Sequence, residues 1–445
     1  MVEKPVGRAR SGAWARAQEL AALTPASRNR YVDFLRAASI LVVVGGHWIM
    51  AAPMLRDGRP ELGHVLELAP WIHWLTWVFQ VMPTFFLVGG FANATSWESV
   101  RAKGQGYAEW LQGRISRLIG PMVPLLLVWI GIAAAFRFAG ISAQMVQVGS
   151  RVALVPIWFL AVYLGVVLVA PWTFKAWRRW GLLSFAVLAA AALAIDYLGI
   201  IRGMGWLRWV NYACVWIAVH QLGYAWRDGR LAGVARALPW GLGGLAVALA
   251  AVKLGPYPVA MVGVPGEEIS NTLPPTFALL AFGTMQVGLV LCLEAPVRRW
   301  LAGLRAWAAT VLINANIMTL YLWHSTALVL FIGLLLKLGG PGLSLEPGSG
   351  TWWLTRPLWL AILLLALWPF LLLFSRFERP APPGEAATAW RLVVGVLLMC
   401  FGIAVLALLG IGGANPLGVT PIALLPLLGA RLARIVRPRR MRAAT

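Results

Sequence analysis

Charge is scarce in this sequence: 12% of its 445 residues are Asp, Glu, Lys or Arg, against 60% that are hydrophobic. Soluble domains carry roughly a quarter charged residues. So little charge cannot cover the surface of a water-soluble protein of this length, and a bilayer is the natural solvent for the remaining apolar surface. Acidic residues are scarcer still, 16 against 38 Lys and Arg, and the net charge is +22. In a soluble chain that balance would suggest a nucleic-acid partner. Here the basic residues lie between apolar runs, where membrane orientation and anionic lipid account for them, and no nucleic-acid-binding motif is present. There are three cysteines, Cys214, Cys292 and Cys400, without CxxC spacing. That argues against a disulfide framework and a metal knuckle and leaves them as packing residues. His, Asp and Glu form no cluster with metal-ligand spacing, so no metal is expected. A nucleophile elbow, a P-loop and a dinucleotide-binding glycine fingerprint are all missing. Glu267 and Glu268 are adjacent, so their side chains diverge and make a poor carboxylate pair for glycoside chemistry. No repeat of 20–50 residues is evident. Residues 1–31 are polar and basic, without an apolar stretch of signal-peptide type, and read as an uncleaved cytoplasmic N-terminus in which Ala13 to Leu23 could form a short surface helix.

Long apolar runs and 25 Trp residues fill the space that charge leaves, and indole prefers the membrane–water boundary. A helix needs about 20 apolar residues to cross the hydrocarbon core. Candidate spans are 32–52, 71–94, 118–139, 152–171, 182–200, 209–226, 238–254, 274–293, 307–336, 353–374, 391–413 and 420–436. The last is the weakest, because Pro421 and Pro426 interrupt it. The expected fold is all-α: a polytopic helical bundle in the cell membrane. Its parts are a basic cytoplasmic segment (1–30), a ten-span core (31–380), a linker (381–390), extra hydrophobic segments (391–436) and a basic tail (437–445). With the N-terminus inside, most Lys and Arg fall in inner segments, and the C-terminus is placed in the cytoplasm too.

An ionisable residue within a span usually has a task. The first span holds Arg36 and His47, eleven residues apart. Eleven helical steps return to within about 20° of the starting face, roughly 16 Å further along. Asp33 lies one turn before Arg36 and can pair with it. Gly45 and Gly46 leave room beside His47 for a ligand or another backbone. A neutral imidazole suits general-base chemistry, although a histidine bridging two helices would give the same pattern. Arg114 and Arg117 are one turn apart at the inner boundary of the third span, where guanidinium forks match phosphate oxygens and also serve as plain membrane anchors. FFLVGGFAN (85–93) closes the second span with glycines that permit close helix approach. NANIMTLYLWHSTAL contains Asn314, Asn316 and a deep His324, which could line a cavity or tie two helices together.

Together these pieces resemble the acyltransferase-3 family of transmembrane acyltransferases. The resemblance rests on Arg36 to His47 in the first span, FFLVGGF closing the second, Arg114 and Arg117 opening the third, Trp158 to Leu160 in PIWFLAVYL, Tyr321 to His324 in YLWH, and FERP at 377–380. It covers roughly residues 28–380. It implies a ten-helix core and an acyl-CoA donor, most simply acetyl-CoA, entering from the cytoplasm. The acceptor would be a carbohydrate or a sugar-bearing lipid or metabolite. It further implies that His47 is the essential catalytic residue with Arg36, backed by Asp33, in support, and that Arg114 and Arg117 bind the donor. Trp158, Tyr321 and His324 are candidates to line the substrate path. Direct transfer and an acyl-histidine relay both remain open. The sequence departs from the family pattern at Gly89, where many members have Ser, and in lacking an attached esterase-like domain. The competing readings are a transporter or lipid scramblase with a His-lined path, and a membrane-bound O-acyltransferase of the other major type built on Asn314 and His324.

Overall fold

The computed structural model describes residues 12–25, 27–56, 59–378, 386–412 and 418–435. Residues 1–11, part of the linker and the basic tail lie outside these. The described chain is a helical membrane bundle. Eight helices are long and apolar enough to span a bilayer, and up to ten are if each of two bent pairs counts as one span.

The short α1 (Ala13–Ala22) precedes α2 (Arg30–Met50), the first span. The Asn29 side chain starts α2 by accepting from the Tyr31 and Val32 amides at 3.1 and 3.4 Å, which satisfies donors that a helix start otherwise leaves open. We call the side where α2 begins the near face and the opposite side the far face. At the far end of α2 the chain turns into an antiparallel hairpin, β1 (Ala51–Arg56) and β2 (Arg59–His64), with Ala51 opposite His64. Short turns of helix follow, α3 (Val65–Leu68) and α4 (Thr76–Phe79), before α5 (Met82–Ala102) returns to the near face.

The next two helices, α6 (Tyr107–Ile119) and α7 (Met122–Phe138), form a bent pair with an angle of 42°. Pro121 sits in the break, where it lacks an amide to continue the ladder. The amphipathic α8 (Ala143–Leu154) leads into α9 (Ile157–Trp180), so the expected span 152–171 begins in the last turn of one helix and ends well inside the next. Then come α10 (Leu182–Asp196), α11 (Asn211–Arg227), α12 (Val234–Leu254) and a second bent pair, α13 (Phe277–Cys292) with α14 (Glu294–Trp300), at 48°. The expected span 307–336 is two helices, α15 (Leu304–Asn314) and α16 (Ile317–Lys337), broken at Ala315–Asn316. The Glu378 carboxylate seats the start of α16 by accepting from the Met318 and Thr319 amides at 3.2 and 2.8 Å. Glu378 belongs to the FERP string, whose Arg379 and Pro380 lie outside the described residues. After α17 (Gly350–Phe374), α18 (Ala389–Leu409) packs on α9, with Leu392, Val396, Met399 and Ile403 in the main apolar core. The last expected span, 420–436, is a 3-10 turn and the nine-residue α19 (Leu424–Leu432).

Two features frame the interior. The first is a glycine contact between α5 and α11: a Cβ at Gly90 would stand 1.9 Å from the His220 carbonyl oxygen, and one at Gly223 would stand 2.2 Å from that of Leu87. Only glycine lets the backbones meet there. The second is a cover on the far face. Ala52, Val65, Leu66, Ile72, Ala260, Val264 and Trp352 form one buried cluster, and Trp77 Nε1 and Gln80 Nε2 donate to the Val259 and Met261 carbonyls of the 255–276 loop at 2.8 and 2.9 Å.

Candidate active site

Two contacts fix α2 against the broken pair α15–α16. Near the near face, the Asn314 amide donates to the Asp33 carbonyl at 2.9 Å, while its oxygen accepts from Arg36 Nε at 2.8 Å. Ten to eleven residues further along both elements, His47 Nδ1 lies 2.8 Å from His324 Nε2, with the rings 17° from parallel. Equal spacing on both sides means that the two elements run parallel, so the stripe expected from Arg36 and His47 is matched by a second stripe, Asn314 and His324, facing it.

The histidine pair has a defined proton order. His324 Nδ1 lies 2.6 Å from the Tyr321 carbonyl oxygen. A carbonyl only accepts, so His324 Nδ1 carries the proton. In a neutral His324 the other nitrogen, Nε2, is then an acceptor, and His47 Nδ1 must donate to it. That leaves the Nε2 lone pair of a neutral His47 free. Among the described residues no group bonds to it. Gly45 and Gly46 precede it in the helix, and a Cβ on either would meet nothing within 4 Å. His324 is fully buried while His47 is half-buried. The fully buried Trp48 locks this level, donating from Nε1 to the His324 carbonyl at 3.0 Å, and Trp359 of α17 donates in turn to the Trp48 carbonyl at 3.0 Å.

Below this level Asp33 accepts from two arginines, Arg28 Nε at 2.6 Å and Arg36 Nη2 at 2.9 Å. The short bond to Asp33 raises the Arg28 pKa above its ordinary value, outweighing partial desolvation. A cavity of about 420 Å³ opens here at the near face, lined by Thr24, Arg28, Asp33, Arg36, Trp307 and Asn314 among others. Arg114 is half-buried, with its Nε turned away from solvent. Its Nε has no hydrogen-bond partner. Arg117, one turn on, is exposed.

The structure thus brings His47, His324 and the Tyr321 carbonyl together, and Asp33, Arg36 and Asn314 together. The Tyr321 hydroxyl points elsewhere and donates to the Pro156 carbonyl. Trp158 shares no ring or hydrogen-bond contact with either histidine; it is Phe159 beside it that meets the Tyr321 ring, at 6.1 Å. At Gly89 a Cβ would press on the Tyr163 ring at 2.7 Å, so the tyrosine fills the room that a serine would need.

The profile of the acyltransferase-3 family, described as an acyltransferase domain, matches residues 29–375. The chain belongs to the acyltransferase-3 family. No curated protein and no solved structure gives a match. The family assignment makes the chain a membrane acyltransferase, and the matched stretch runs from the start of α2 to the end of α17, enclosing His47, His324, Asp33, Arg36, Arg114 and Arg117.

Two groups that the sequence patterns do not single out belong to this interior. Asn93 Nδ2 lies 3.0 Å from His220 Nε2, both fully buried, while Asn93 Oδ1 and His220 Nδ1 have no partner. They are 127 residues apart, so no local motif reports them. Arg356 of α17 is the second, and a positive charge inside the span 353–374 was the available signal. Among the described residues no group of three or more His, Cys, Asp or Glu could hold a metal ion.

Proposed function

We propose that this acyltransferase moves an acyl group, most simply acetyl, from acyl-CoA to a hydroxyl of a carbohydrate, a glycolipid or a glycosylated metabolite. The donor comes from the cytoplasm at the near face of a protein in the cell membrane, with the N-terminus inside. The observation that carries the reading is the free Nε2 lone pair of His47, a ring held in place by His324.

In the reaction, His47 Nε2 takes the proton of the acceptor hydroxyl as that oxygen attacks the thioester carbonyl. The new C–O bond forms, the C–S bond breaks, and the imidazolium returns its proton to the leaving thiolate. His324 keeps His47 in the productive tautomer and takes up part of the charge that develops on it, a role like that of the third member of a catalytic triad. Arg114 and Arg117 grip the phosphates of the donor, with the half-buried Arg114 nearest the reacting end. Arg36, held by Asp33 and Asn314, orients the donor between the phosphates and the imidazole.

The test is acyl transfer by the purified protein in proteoliposomes, with labelled acetyl-CoA supplied at one side and saccharide acceptors at the other. Release of CoA thiol that depends on the acceptor supports the reading. Movement of solute or lipid without any use of acyl-CoA would replace it with a transporter. Mass spectrometry of envelope and secreted glycans, with and without the gene, then names the acceptor through the acyl group that disappears.

A further inference from the structure

Arg356 lies in the second turn of α17, between the histidine level and the far-face cover. Its position is set from both sides. One turn toward the near face, Trp359 bonds to the carbonyl of Trp48, the neighbour of His47. One turn toward the far face, Trp352 sits in the cover's apolar cluster with Ala52 and Val65. Arg356 therefore stands roughly 4–5 Å along the helix axis above the bond that ties α17 to the catalytic level.

The residue is more than nine-tenths buried, at 8% exposure. The guanidinium carbon lies 3.9 Å from the Trp352 ring centre and 4.7 Å from that of Trp359. Those contacts use the faces of the cation and leave its edge donors to other partners. Nε and Nη1 are buried without any hydrogen-bond partner. Nη2 makes one long contact among the described residues, to Thr355 Oγ1 at 3.5 Å. Among the described residues no Asp or Glu pairs with it. A guanidinium buried inside a span without a counter-charge is costly and marks a functional position. The free Nη1 and the second hydrogen of Nη2 form a planar fork, which matches two oxygens of one phosphate or carboxylate.

We infer that Arg356 is the anion site of the acceptor. It takes a phosphate or carboxylate borne by the incoming saccharide and holds the molecule over the His47 ring from the far side, so acidic acceptors are preferred to neutral ones. The two tryptophans fix the plane of the fork, and the near-face arginines are left to the donor. The acceptor role rests on the acyl-transfer reading above, whereas the anion site itself can be read without turnover.

The experiment uses the full chain in phosphatidylcholine nanodiscs and follows thermal unfolding with glucose 1-phosphate, glucuronate or glucose added. The expected result is stabilisation by one or both acidic sugars, with the effective one naming the oxyanion, and none by glucose. Arg356→Gln should weaken that binding by about tenfold or more, and Arg356→Lys should keep part of it as a point charge without the fork. In turnover, Arg356→Gln raises the KM for an acidic acceptor and leaves the acyl-CoA KM unchanged. An equal response of wild type and both variants, or glucose acting as well as the acidic sugars, overturns the inference. So does a site filled by phosphatidylglycerol in the disc and indifferent to the sugars, which would make it a lipid headgroup site. Sugar binding that behaves as expected in a chain unable to use acyl-CoA would keep the anion site and discard the acyl-transfer reading.

Discussion

His47 and His324 face each other through Nδ1 and Nε2 at 2.8 Å, and the Tyr321 carbonyl behind His324 sets the direction of both protons. Removing the second ring while keeping the first should leave a base free to adopt the wrong tautomer. His324→Ala is expected to lower kcat by about 10²–10⁴-fold, the range for misplaced general-base catalysis, with little change in donor KM. Steady-state kinetics on the reconstituted protein decide it. A loss confined to donor KM would make His324 a binding residue.

Two pairs of glycines should respond in opposite ways. Gly45 and Gly46 face open space, so alanine at either position fits and gains about 0.5–1 kcal/mol of helix preference. Larger side chains there, as in Gly46→Leu, should fill that space and stop acyl transfer in a folded protein. Gly90→Ala and Gly223→Ala drive a methyl into a facing backbone and should abolish the folded bundle. Thermal unfolding alongside acyl transfer separates the two cases, and a Gly46→Leu protein with full activity would mean that substrates do not pass there.

Asn314 joins α15 to α2 by bonding the Asp33 carbonyl and Arg36 Nε. Asn314→Ala should cost about 1.5–3 kcal/mol for the bond to the charged group alone, and should let Arg36 swing out of line. The expected outcome is a lower melting temperature together with weaker donor binding in a titration. Weaker stability with unaltered donor affinity would confine Arg36 to a structural role.

Much of this site was legible because it is built from periodicity within single helices. Arg36 and His47 report their common face by spacing alone, and the pairing of Asp33 with Arg36 follows from three residues of separation. What the sequence could not show depends on the partner across the gap. The break at Ala315–Asn316 interrupts a run whose average hydropathy stays high, and Glu378, which seats the new helix start, lies 59 and 60 residues away from the amides it holds. The hairpin from Ala51 to His64 contains Pro53 and Pro60, which argue against a strand on local grounds. The Asn93–His220 pair and the fit of Tyr163 over Gly89 are likewise products of packing between distant helices.

The cover should loosen in acid. His64 starts α3 by accepting the Leu66 amide at its Nδ1, at 3.3 Å, which requires an unprotonated nitrogen. Burial lowers its pKa below the ordinary histidine value, and the Glu67 charge opposes the shift without cancelling it. The opened state therefore binds a proton more readily than the closed one. The stabilisation is present above about pH 6.5 and is lost as the pH falls through that value toward the lowered one. Amide exchange at Leu66 should accelerate over that window, and His64→Asn, which keeps an acceptor at the helix start, should remove the pH dependence.

The most direct test of the account is single-turnover acyl transfer from labelled acetyl-CoA by a His47→Ala protein in proteoliposomes, its folding verified by thermal unfolding. Donor binding near that of wild type with no detectable acyl transfer is the expected result. Transfer at the wild-type rate by the folded variant would contradict it.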